Sequence, residues 1–162
     1  MDVRQEIKEK INGKRLAVVG LGNIDRGDDG YGIMVAKLLK RKFPRRVYME
    51  TEGMAGVIKN INGREDIKFV LFVDAIEGYN RVGTINIIKS ENIEDVKSSH
   101  KVPLKLYTAL LDKPSAIIGI QPENLDFMQP ISHSVKKGIK ETVNLLTSQI
   151  ENNIKRKKVQ DE

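Results

Sequence analysis

Arg15-Leu16-Ala17-Val18-Val19-Gly20, followed at once by Leu21-Gly22-Asn23-Ile24-Asp25-Arg26-Gly27-Asp28-Asp29-Gly30-Tyr31-Gly32, is the stretch on which the fold turns. Its first part is a valine-rich apolar run of strand length, and its second is a glycine-punctuated loop. Beyond the loop, Ile33, Val35, Ala36, Leu38 and Leu39 recur at helical spacing within 29–42. The loop therefore joins a strand to a helix packed on a sheet. Working outward, a second strand is predicted over 46–50 and a short helix over 54–61. The nearly continuous apolar run 67–73 is the pattern of a central strand covered on both faces, and it stops at Asp74. Residues 83–88 are rich in β-branched side chains and follow that strand after only about nine residues, too few for a helical crossover, so they are predicted to run antiparallel at an edge.

Pro103 suits the first turn of a helix over 103–111. A fifth strand over 115–120 is ended by Gln121-Pro122. Ser132 is placed to cap a long amphipathic helix through Val135, Ile139, Val143, Leu146 and Ile150. No element is assigned ahead of Arg15. The order β-α-β-α-β-β-α-β-α predicts the α/β class, a three-layer α/β/α sandwich around a mostly parallel five-stranded sheet with one antiparallel edge strand. A single domain is expected over 1–152, with 153–162 as a basic, frayed tail.

A chain of 162 residues fits one domain with one substantial core, and 40% apolar with 31% charged residues is the balance of a soluble globular protein. Met1 to Lys10 is polar and charged, unlike a signal peptide, and the apolar stretches are too short to span a bilayer. A cytoplasmic protein without a membrane partner is expected. There is no cysteine, which removes disulfides, thiolate ligands and a cysteine nucleophile together. Any metal site must then use Asp, Glu and the two histidines, His100 and His133. The net charge of +6 comes from basic stretches with acids interspersed, and only Phe43 offers an aromatic ring within one. That pattern reads as solvated surface rather than a nucleic-acid platform.

In sheets of this kind ligands collect beyond the carboxyl ends of the strands. Asp29 after strand one, Asp74 after strand three and His100 before the third helix all fall on that rim. Two carboxylates and an imidazole are a plausible donor set for a divalent transition metal, although each residue alone has a bland reading as a cap or surface group. His133 follows Ser132 and reads as a residue of the helix's first turn. A dinucleotide site is disfavoured although Glu50 or Glu52 ends strand two where a ribose-binding acid belongs: Asp25 replaces the third glycine, and Asp28 and Asp29 sit where a pyrophosphate would bind. There is neither a Gly-x-Ser-x-Gly elbow nor a His-Glu-x-x-His helix.

The run Gly22–Gly32 resembles the opening motif of the hydrogenase maturation endopeptidases. Asp74-Ala75, Ser98-Ser99-His100 and Gly119-Ile120-Gln121-Pro122 match that family's later elements in the same order, over most of the chain from Leu16 to Leu146. The resemblance implies an endopeptidase that trims the C-terminus of a NiFe hydrogenase large-subunit precursor after nickel insertion. It implies nickel ligation by Asp29, Asp74 and His100, with catalysis through that metal, whether the metal is resident or the substrate's own. Asp29 stands where some members have Glu. Beside these, Asp28 is a candidate base or orienting group, with a capping role as its alternative. Gly53 and Gly56 are candidates for letting the substrate backbone approach. The expected partner is the precursor, met by a monomer. A nickel-checkpoint or chaperone domain that binds the precursor without cutting it is the alternative.

Overall fold

The chain is described by a computed structural model covering residues 2–78, 80–98 and 101–161. Five strands form one sheet in the order β2-β1-β3-β5-β4. They are β1 (Leu16–Gly20), β2 (Val47–Met49), β3 (Phe69–Ala75), β4 (Ile85–Lys89) and β5 (Ser115–Ile120). β1 pairs in parallel with β2 and β3, and β3 pairs in parallel with β5. β4 closes the edge antiparallel to β5, as its short connection requires.

Alternate residues of β3 divide the core between the two faces. Leu71 and Val73 join Leu16, Val18, Ile118 and Val135 on the side of α1 (Val3–Ile11), α2 (Tyr31–Lys42) and α5 (His133–Gln160). Val70 and Phe72 join Val19, Ile58, Leu104 and Ile117 on the side of α3 (Met54–Asn62) and α4 (Lys101–Leu110). The three layers are those the periodicity predicts.

Three details differ. Helix α1 precedes β1: Ile7 and Ile11, one turn apart, are both buried, and the Asp2 side chain accepts from the Arg4 amide at its N-terminus. The tail expected to be frayed is helical to Gln160, because Asn153 is buried, its side-chain amide donates to the Lys14 carbonyl, and Ile154 packs on the core. Asp74 is not past the end of its strand. It pairs in register with Gly119 inside the sheet.

Candidate active site

The site is assembled by a loop with almost no spare volume. After β1, the Leu21 amide donates to the Val73 carbonyl at 2.9 Å, which ties the loop's first residue to β3. Gly22 has φ +122, and a Cβ there would meet the Asp29 carbonyl oxygen at 2.0 Å. Glycine is required on both counts. The loop folds back so that the Asn23 amide donates to the Asp29 carbonyl at 3.2 Å and to its Oδ2 at 3.0 Å. Residues Gly27–Gly30 form a 3-10 turn leading into α2. A Cβ at Gly32 would lie 2.0 Å from the Val73 carbonyl and 2.3 Å from that of Leu21. Its absence lets α2 start directly on the ends of β1 and β3, and this delivers Asp29 to the rim.

Asp29 and Asp74 are both buried, at 2% and 0% exposure. Asp74 Oδ1 accepts from the Ala75 amide at 2.9 Å, and Oδ2 accepts from the Ser98 hydroxyl at 3.1 Å. The first serine of the Ser98-Ser99-His100 motif thus orients a carboxylate of the motif before it. Ser99 and His100 lie outside the described residues. Among the described residues, no three His, Asp or Glu side chains gather as a metal site.

Asp28 faces elsewhere. Its Oδ1 accepts from the Ser132 amide at 2.7 Å, while Oδ2 accepts from the Glu123 and Asn124 amides and the Ser132 hydroxyl at 2.8, 3.3 and 2.9 Å. Its own amide donates to the Asn124 carbonyl at 2.8 Å. This carboxylate anchors the β5–α5 loop, and both its oxygens are occupied there. Ser132 does hold the cap position of α5, but its hydroxyl is turned to Asp28 instead of capping the helix. His133 is exposed in the first turn.

Two residues enter the site without a motif to announce them. Glu50, half-buried just after β2, accepts from the Gly22 amide through Oε1 at 3.4 Å and from the Tyr107 hydroxyl through Oε2 at 3.0 Å. Burial, then the charge and hydrogen bond of Glu50, push the Tyr107 phenol up to about 12. Glu50 figured in the sequence only as the acid of a disfavoured dinucleotide site, and Tyr107 only as one residue of a helix. Gly53 has φ +91 at the start of α3, and neither it nor Gly56 has an atom within 4 Å of an added Cβ, so both face open space.

The pattern of the HycI hydrogenase maturation proteases matches residues 33–149. The chain belongs to the hydrogenase maturation protease family. The matched span contains Asp74 and His100, and Asp29 lies just before it. Two proteins of Methanocaldococcus jannaschii assigned to this family are similar to the chain. One is 32% identical, covering 86% of this chain and 90% of its own length, and the other is 30% identical, covering 85% and 97%. Among solved structures, the maturation protease HycI from Thermococcus kodakarensis KOD1 superposes with a TM-score of 0.72 at 22% identity, over 90% of this chain and 99% of that one. The maturating endopeptidase HybD from Escherichia coli gives 0.67 at 21% identity, over 85% and 93%. At those identities the structural likeness speaks for the fold, and the family rests on the sequence matches.

Proposed function

We propose that this maturation protease is a nickel-dependent endopeptidase that removes the C-terminal extension of a NiFe hydrogenase large-subunit precursor after nickel insertion. The observation that carries the reading is the pair of buried carboxylates, Asp29 and Asp74, delivered by different elements to one rim of a family protease. Two buried carboxylates on one rim favour a cation over an anion there. Carboxylate oxygens with the imidazole of His100 suit a divalent transition metal and leave positions open. Asp29, Asp74 and His100 would hold it, and the metal, resident or the precursor's own, supplies a Lewis acid for the scissile carbonyl.

The protein's own contribution is orientation. The Asn23 amide fixes one oxygen of Asp29, and the Ala75 amide and Ser98 hydroxyl fix both oxygens of Asp74. Donors aimed in advance avoid reorganisation when the substrate arrives. The open faces of Gly53 and Gly56 leave room for an extended substrate backbone beside the rim. The same reading has the enzyme act as a cytoplasmic monomer with neither nucleic acid nor membrane as partner. No helix among the described residues is long and apolar enough to cross a membrane.

The test is mass spectrometry of a large-subunit precursor, nickel-loaded and nickel-free, after incubation with the protein. A C-terminal peptide is expected to be lost only from the loaded precursor, and Asp74→Ala is expected to slow that loss by about 100-fold or more. Equal cleavage of the nickel-free precursor, or full activity in Asp74→Ala, would overturn the reading. Binding without cleavage would point to a checkpoint protein instead.

A further inference from the structure

Three chain segments that bear the site meet at one phenol. The Tyr107 ring stacks on Phe72, with centroids 6.4 Å apart and planes at 25°. Phe72 and Asp74 are two residues apart in β3, so they lie on the same face of the sheet. Through its hydroxyl, Tyr107 reaches Glu50, and through Glu50 it reaches the Gly22 amide of the loop that carries Asp29. Tyr107 itself belongs to α4, which begins directly after the Ser98-Ser99-His100 motif.

The seat of α4 depends on this inner side. Leu104 is buried beneath it, while Val102, Leu106 and Leu110 on its outer side are 77%, 56% and 54% exposed. The Asn62 side-chain amide donates to the Leu110 carbonyl at the far end of α4, and Lys105 pairs with Glu94 on its exposed side. Apolar contact is not directional, so the position of α4 relative to the Asp29 loop depends on the bond made there. A hydrogen bond from a neutral phenol to a carboxylate is directional and stronger than one between neutral groups. With its pKa raised to about 12, Tyr107 stays protonated and able to donate throughout the neutral range.

We propose that Glu50 and Tyr107 are positioning residues of the cleavage site, a clasp that sets α4 at a fixed spacing from the Asp29 loop. The clasp touches neither substrate nor metal in this scheme. It acts through the geometry of the groups that do, and a small misplacement of reacting groups is enough to lower a rate substantially. This inference rests on the reading of the rim as the cleavage site, so its test separates the two.

Tyr107→Phe keeps the ring and the stack on Phe72 and removes one hydroxyl. Expected are an unchanged melting temperature, a kcat for precursor trimming lowered by about tenfold, and an unchanged KM. Glu50→Gln, which keeps an acceptor, is expected to retain most of the activity, and Glu50→Leu to match Tyr107→Phe. The double variant Tyr107→Phe/Glu50→Leu should be no slower than either single variant, because each already opens the clasp. Hydrogen exchange gives a readout that needs no turnover: amides of α4 over 104–110 should exchange about tenfold faster in Tyr107→Phe, with those of β3 unchanged. Wild-type cleavage rates in Tyr107→Phe alongside an inactive Asp74→Ala would overturn the clasp and leave the protease reading standing. Unchanged exchange in 104–110 would overturn it as well. A wild-type protein that cuts no precursor would instead overturn the protease reading, and the exchange measurement would still decide whether the clasp holds α4.

Discussion

The β1–α2 connection, which carries Asp29, and helix α4, which reaches that connection through Glu50, are held by opposite means. The connection is fixed by exclusion: Gly22 and Gly32 lie so close to neighbouring carbonyls that no Cβ fits, and the buried Asp28 spends both oxygens on the loop behind it. Helix α4 is packed on one side and bare on the other, and a single phenol joins it to the carboxylate beside Asp29's loop. One wall of the site has no alternative position. The other is tied to the first by a bond that removal of a single hydroxyl breaks. A protease that must admit a substrate and then align it is served by having one wall of each kind.

The largest break in this comparison is expected from Gly32→Ala. The added methyl meets two backbone carbonyls that cannot yield separately, so α2 must lift from the sheet at a cost of about 4 kcal/mol or more. Chemical denaturation should show it, and a loss below about 1 kcal/mol would mean the rigid wall is softer than described. Next comes Asp28→Ala, which strips the acceptor from three backbone amides and the Ser132 hydroxyl and should cost about 3 kcal/mol. The smallest effect is expected from Leu106→Ser on the bare side of α4. Stability should change by no more than about 0.5 kcal/mol, and a larger loss would show that this face is not free.

Much of this was legible from residue pattern. The apolar runs of β1, β3 and β5 are unbroken, and the short link before β4 leaves no other topology. Helix α1 was hidden because its buried Ile7 and Ile11 stand in a short, highly charged segment, where the apolar period is weak. Asp28 and Asp29 illustrate a different limit. They are adjacent and chemically identical, and it is the 3-10 turn, with about three residues per turn, that sends their side chains to different neighbours. Glu50 and Tyr107 could not have been paired in advance, since nothing local in a sequence relates positions 57 apart across two layers.

The anchoring by Asp28 also bears on when the enzyme comes into being. Its partners Glu123 and Ser132 lie 95 and 104 positions further along the chain. Contacts so distant in sequence close late, and synthesis runs from the N-terminus. A nascent chain therefore carries Asp29 and Asp74 well before it carries the β5–α5 loop that Asp28 anchors, and the rim takes its final form only once that later segment has emerged.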